Sequence, residues 1–297
     1  MQSVQGRFDF VVVGAYTKDT IVTRAGTRYV HGGGYSYAAH AARLAGVSVG
    51  AVTRLAAEDR ESTSLLRSAG VEVMIHESPQ STLMRLEYPT DNVDERILTV
   101  AAAAEPFQPE HVADIRADAV LVSPSIRGEV PLEVIQVLRE RTKLLAIDVQ
   151  GFVRVRTPTG QLAYENWPEM RAVLSLVDVL KSDAVEGEFL TGKKDLHAIA
   201  SALAAYGPKE IVLTHKDGVL VLANGATYEY PFVPTELRGR SGRGDTCVGS
   251  YVSRRISAAP ADAARWAAAV TSLKLEAEGP VRRTAADVEE LIRSRYA

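Results

Sequence analysis

Phe8-Asp9-Phe10-Val11-Val12-Val13-Gly14-Ala15 is a short apolar run, rich in valine and closed by a glycine. A run of that kind reads as a strand buried on both faces, as in parallel sheets. Similar runs recur after Pro106, at 119–122, 144–149, 177–181 and 211–214. The intervening segments 131–140, 184–191 and 195–205 have helical patterns. Strands separated by helices of about 10–15 residues form βαβ units around a parallel sheet. Three more helical stretches, 245–257, 261–276 and 285–294, close the chain. The fold class is α/β.

The first third departs from this regularity. Residues 21–30 roughly alternate and are broken by Gly26, which predicts an exposed hairpin. An alanine-rich helix over 37–44 precedes a strand at 47–52, a helix at 57–68 and a strand at 71–75. Segments 82–87 and 96–100 flank a polar tip, Thr90-Asp91-Asn92, and predict a second hairpin. Neither hairpin belongs to a separate compact half. The expectation is one domain over 1–297 with a small β lid made of hairpins around 20–31 and 82–100.

Composition narrows the function classes. With 46% hydrophobic and 24% charged residues, the chain has the make-up of a soluble globular protein. A formal charge of −3, with no basic stripe, argues against nucleic acid as a partner. Cys247 is the only cysteine, so neither an internal disulfide nor a thiolate metal cage can form. The N-terminus lacks a signal pattern, and every apolar run is shorter than the roughly 20 residues of a membrane span. The expected location is cytoplasmic.

Four motifs carry chemistry. His31-Gly32-Gly33-Gly34 runs straight into the alanine-rich helix. Three glycines there permit positive φ and leave backbone N–H groups open to a ligand, although they also make a permissive turn. Ser241-Gly242-Arg243-Gly244-Asp245-Thr246 precedes another helix and makes a nest of N–H groups suited to anionic oxygens. Asp245, in the first turn, faces that nest or simply caps the helix. Asp19 lies five residues beyond Gly14, where the first strand ends. A carboxylate there accepts hydrogen bonds from polyol hydroxyls, unless it is only a solvated loop residue. Asp183 and Glu186, three apart at a strand-to-helix junction, suit either water around Mg²⁺ or a capping pair.

Other frameworks are missing. The first strand ends Val13-Gly14-Ala15-Tyr16, without the GxGxxG of a dinucleotide site, and there is no Walker A loop. The six histidines have no metal-ligand spacing.

In this order, over nearly the whole chain, the motifs resemble the ribokinase-like (PfkB) carbohydrate kinase family. Gly14 with Asp19 matches its first-strand pattern, and Gly32, Gly33 and Gly34 with Ala42-Arg43-Leu44 match its first signature. Asp183 and Glu186 align with its Asn-x-x-Glu motif, followed by Phe189-Leu190-Thr191-Gly192. Gly242-Arg243-Gly244-Asp245 aligns with its Gly-Ala-Gly-Asp signature, and 267–274 with its nucleotide-side helix. Thr17-Lys18-Asp19, 148–154 and 239–247 look most like the myo-inositol kinase branch. The chain departs from the pattern at Asp183, at Arg243 in place of alanine, at Gly239 in place of aspartate, and at Thr214-His215-Lys216-Asp217-Gly218, where a glycine-rich turn is usual.

The resemblance implies a three-layer αβα sandwich with a mostly parallel central sheet, and ATP-dependent phosphorylation of a hydroxyl on a sugar or polyol, such as myo-inositol. It makes Asp245 the catalytic base, with Gly242, Arg243 and Gly244 as the anion cradle. Asp19, Gly32, Gly33, Gly34 and Gln150 would hold the acceptor. Thr214, Lys216, Gly218 and Ser241 would hold the nucleotide, and Asp183 and Glu186 would act on Mg²⁺ through water. Lid pairing into a homodimer is a further implication. The rival readings are a nucleoside or other sugar kinase of the same fold, and a non-catalytic sugar- or nucleotide-binding protein.

Overall fold

Alternate side chains of the first strand, β1 (Arg7–Val13), feed two separate cores. Phe10 and Val12 join a cluster on one face of the sheet, Val11 and Val13 a cluster on the other. This period of two makes a continuous apolar run suit a strand covered on both sides. The computed structural model describes residues 7–90 and 97–296.

The other strands, in chain order, are β2 (Thr17–Thr23), β3 (Gly26–Gly32), β4 (Val49–Leu55), β5 (Glu72–Glu77), β6 (Thr82–Glu87) and β7 (Ile97–Ala102). They continue with β8 (Arg116–Val122), β9 (Thr142–Asp148), β10 (Arg154–Arg156), β11 (Leu162–Tyr164), β12 (Val179–Asp183) and β13 (Glu210–Thr214). The last two are β14 (Gly218–Ala223) and β15 (Ala226–Pro231). The helices begin with α1 (Gly34–Arg43), α2 (Ser64–Ser68), α3 (Leu132–Arg139), α4 (Gln150–Val153) and α5 (Met170–Leu174). They end with α6 (Ala184–Thr191), α7 (Leu196–Ala204), α8 (Arg243–Arg255), α9 (Pro260–Leu275) and α10 (Ala285–Arg295).

Nine strands form the main sheet in the order β15-β14-β13-β12-β9-β8-β1-β4-β5. From β13 to β5 all neighbours are parallel, while β14 and β15 join antiparallel. Helices α1, α8, α9 and α10 contribute to the core on one face; α3, α5 and α7 contribute to the other. The result is the expected α/β fold, a mostly parallel sheet between helical layers. Small residues let α1 and α8 meet closely, since a Cβ on Gly249 would come within 2.6 Å of the Ala38 backbone.

Strand order reverses beside β1: the chain runs to β4 and β5 on one side, then returns to β8 on the other. Such a switch point opens a crevice beyond the carboxyl ends of the strands. Gly14 and Ser123 follow β1 and β8 there, and the Gly14 backbone presses against the Ser123 carbonyl so closely that no side chain fits.

A four-stranded sheet, β3-β2-β6-β7, stands apart. Both expected hairpins are present in it, and they join through a parallel pairing of β2 with β6. Asp91, Asn92 and Arg96 of the second hairpin lie outside the described residues.

Three local expectations change. The first hairpin begins at Thr17, so Asp19 lies on a strand and not in a loop. The stretch expected as one helix at 57–68 is a 3₁₀ segment followed by the short α2. The pairs β14–β15 and β10–β11 are additions to the expected elements.

Candidate active site

The carboxyl edge of the sheet opens on a cleft of about 1430 Å³, facing the small sheet. Asp19, Gly34, Gln150, Asp183, Ser241 and Asp245 all line it. The structure thus brings together motifs spread over more than 200 residues of sequence.

Gly242 has φ +75°, the left-handed conformation glycine adopts without strain, and its backbone packs on the Tyr37 ring. From it α8 starts at once. The Arg243 amide donates to Arg240 O at 3.2 Å, and Thr246 donates to Gly242 O at 2.9 Å. The Gly244 and Asp245 amides between them have no backbone acceptor among the described residues. They are open donors at the positive end of a 13-residue helix, which favours an anion. Of the expected cradle residues, Arg243 has its amide committed to the turn, while the amides of Gly242 and Gly244 have no backbone acceptor among the described residues.

Asp245 faces the glycine segment across this space. A Cβ on Gly34 would collide with its carboxylate and with Ser123 Oγ. Ser123 donates to Asp245 Oδ1 at 3.3 Å. Nothing larger than glycine at residue 34 leaves that carboxylate in place.

The ammonium of Lys181 lies under the cradle: a Cβ on Gly244 would come within 2.8 Å of Nζ. Lys181 is buried and sits 3.0 Å from Asp148 Oδ2 and 3.9 Å from Glu186 Oε2. Burial opposes its charge, but Asp148 and Glu186 overcome this and raise its pKa above the ordinary lysine value. Arg154 reaches Glu186 Oε1 at 3.1 Å. Asp148, Arg154 and Lys181 carried no assigned role in the sequence. A lysine inside the apolar run at 177–181 was the available signal, because a charge in a buried strand needs a partner.

Asp183 and Glu186 form a reciprocal capping box on α6. Asp183 Oδ1 accepts from the Glu186 amide at 2.8 Å, and Glu186 Oε2 from the Asp183 amide at 2.9 Å. Glu186 is fully buried, and burial lifts its carboxyl pKa to about 7 against the pull of Lys181. Among the described residues no group of three or more His, Cys, Asp or Glu is placed to hold a metal. An ion coordinated by water and phosphate oxygens near Asp183 fits this donor set. A protein-caged ion does not.

Asp19 approaches the cleft from the small sheet. Its Oδ1 is buried without a hydrogen-bond partner, and Oδ2 lies beside the Gly32 backbone. Burial raises its pKa to about 6, with the Thr17 hydroxyl acting in the opposite direction. An orphaned carboxylate oxygen at a cleft wall is suited to accept a hydroxyl hydrogen bond. Gly33, at φ +103°, is the N-cap of α1 and packs on the Ala15 carbonyl. The backbone N–H of Gln150 donates to Asp148 Oδ1 at 3.1 Å.

The expected nucleotide residues separate. Thr214 and Lys216 line the cleft, Thr214 buried and Lys216 exposed. Gly218 instead packs against the Tyr230 carbonyl, where β14 pairs with β15.

Comparison with known proteins decides the family. Residues 6–285 match the pfkB family carbohydrate kinase pattern. This chain belongs to that family. A pyrophosphate-dependent kinase of the ribokinase family, solved with a pyrophosphate analog and myo-inositol, is 34% identical. The match covers 95% of this chain and 99% of that one, with a TM-score of 0.87. Ribokinase from Arabidopsis thaliana, solved with ribose and ATP, shares the fold at 19% identity and TM-score 0.73, over 97% and 99% of the two chains. Cytidine kinase from Thermococcus kodakarensis is 25% identical over 82% of this chain and 87% of its own. The chain is a PfkB-type kinase with a ribokinase-like fold, and among the described residues no helix is long and apolar enough to cross a membrane.

Proposed function

We propose that this kinase transfers a phosphoryl group from pyrophosphate to a hydroxyl of a polyol, with myo-inositol as the favoured acceptor. The observation that carries the reaction type is the meeting of Asp245, Gly34 and the α8 cradle above buried Lys181. Asp19, with its unpartnered oxygen, orients the acceptor from the small sheet, which acts as a lid on a single domain over 1–297. Gly32, Gly33, Gly34 and Gln150 complete that side. Asp245 accepts the proton of the attacking hydroxyl. A carboxylate is too weak a base to ionise an alcohol beforehand, so it orients the hydroxyl and receives the proton late in a loose transition state. The cradle amides and Lys181 stabilise the charge that develops on the transferring group. Asp183 would order the water of a bound Mg²⁺, whose charge would offset that of the phosphate groups.

Two features support pyrophosphate over ATP as donor. Cationic side chains line the cleft, among them Arg28, Lys181, Lys216, Arg240 and Arg243. Gly218 packs into the β14–β15 pairing and does not line the cleft, which leaves Thr214, His215 and Lys216 as that turn's lining residues. The likeness at 34% identity to a pyrophosphate-dependent kinase points the same way. An assay pairing pyrophosphate or ATP with inositols, pentoses, hexoses and nucleosides tests this. Turnover of myo-inositol with pyrophosphate is expected. Turnover of a nucleoside with ATP alone would replace the reading by a nucleoside kinase, and thermal shifts without turnover by a binding protein.

A further inference from the structure

Lys274, in the last turn of α9, is 1% exposed, yet among the described residues its ammonium forms no ion pair with a carboxylate. Nζ donates to Gly239 O at 2.8 Å and to Ala277 O at 3.4 Å, and stands 5.7 Å from the centre of the Tyr37 ring. The two carbonyls belong to different segments. Gly239 is on the segment entering the cradle, three residues before left-handed Gly242, and Ala277 is on the turn after α9. These segments touch: the Arg238 and Gly239 amides donate to Leu275 O at 2.9 and 3.1 Å, and a Cβ on Gly239 would strike the Ala277 carbonyl. The Tyr37 ring facing the ammonium is the same ring on which Gly242 packs. A buried charge costs several kcal/mol unless it is matched, and carbonyl dipoles with an aromatic face are weak partners for it. Burial accordingly pulls the Lys274 pKa down to about 8, against Glu278 and Asp245.

Resting on the kinase reading above, we propose that the Lys274 ammonium is a built-in cation that sets the anion cradle. It ties the Gly239 segment to the end of α9 and seats Tyr37 under Gly242, so the Gly244 and Asp245 amides stay aimed at the donor. Lys274 is a positioning residue and touches no substrate. Two consequences follow. The wild-type enzyme has no need of an added monovalent cation. Removal of the side chain leaves two converging carbonyls that ammonium or K⁺ can refill.

The test compares wild type with Lys274→Ala and Lys274→Arg, using pyrophosphate and myo-inositol at constant ionic strength, in choline, K⁺ or ammonium salts. Wild type should turn over equally in all three. Lys274→Ala should lose about 10- to 100-fold in kcat in choline, the scale of a small misplacement of catalytic groups. It should keep its acceptor KM and regain at least part of the loss in ammonium or K⁺. Lys274→Arg should lie between the two. A folded Lys274→Ala with wild-type kcat, or with a loss that neither cation relieves, overturns the proposal. Should Lys274→Ala not fold in choline, folding restored by ammonium or K⁺ supports it, and no restoration overturns it. Absence of wild-type turnover would instead indict the assignment of pyrophosphate and myo-inositol as donor and acceptor.

Discussion

Lys181 and Asp148 form an ion pair with 3.0 Å between Nζ and Oδ2, both side chains almost wholly buried, directly beneath the Gly244 backbone. Burying two charges is offset only in part by their attraction. Lys181→Met should cost about 3–5 kcal/mol, because Asp148 is left buried alone. The double variant Lys181→Met/Asp148→Asn should regain much of that stability in denaturant unfolding, but little of the turnover. Full recovery of kcat in the double variant would make the pair purely structural.

On the proposed reading, Asp19 sets the acid limb of acceptor use. Its folded pKa, about 6, exceeds the ordinary 3.8 because of burial, so ionised Asp19 costs the free protein stability above pH 6. The ionised form is also the one that accepts hydroxyl hydrogen bonds. Acceptor kcat/KM and the acceptor-induced rise in Tm should therefore both fall as pH drops through about 6. Asp19→Asn should remove that inflection. A profile with the same inflection in the variant would assign it to another group.

Gly34 is a steric requirement of the site. An alanine there meets the Asp245 carboxylate and Ser123 Oγ, although alanine is the better helix former at the start of α1. Gly34→Ala should keep a wild-type far-UV spectrum while losing about 100-fold in kcat, from displacement of reacting groups. Near-normal turnover would show that the close approach of Gly34 to Asp245 does not matter.

The Asp183–Glu186 box separates structural from metal-linked roles. Asparagine caps as well as aspartate, so Asp183→Asn should keep Tm, whereas Asp183→Ala should lose about 0.5–2 kcal/mol. If Asp183 orders Mg²⁺-bound water, the alanine variant should also need more Mg²⁺ for half-maximal rate. An unchanged Mg²⁺ dependence leaves Asp183 as a cap alone.

The sheet was legible because parallel strands are apolar on both faces. Phe10 to Val13, Ala119 to Val122 and Ile211 to Leu213 are all buried, and each stands out as a run. The glycine segments and Asp245 were legible because the ends of strands and helices bear fixed local chemistry. The β14–β15 hairpin was overlooked despite its Asn224-Gly225 turn, with Asn224 at φ 53°, a conformation that asparagine tolerates. The charge cluster under the cradle was not legible. Asp148, Arg154, Lys181 and Glu186 come from β9, β10, β12 and α6, and only the strand order brings them together. Lys274 was hidden for the same reason, since its partners are carbonyls and leave no trace in composition.

Asp245 carries the central claim. With pyrophosphate and myo-inositol saturating, kcat of Asp245→Asn measured against wild type should fall by about 10²–10⁴, the span for loss of a general base. Tm should stay close to wild type, since asparagine keeps the shape and the contact with Ser123. A folded Asp245→Asn turning over near the wild-type rate would contradict the account.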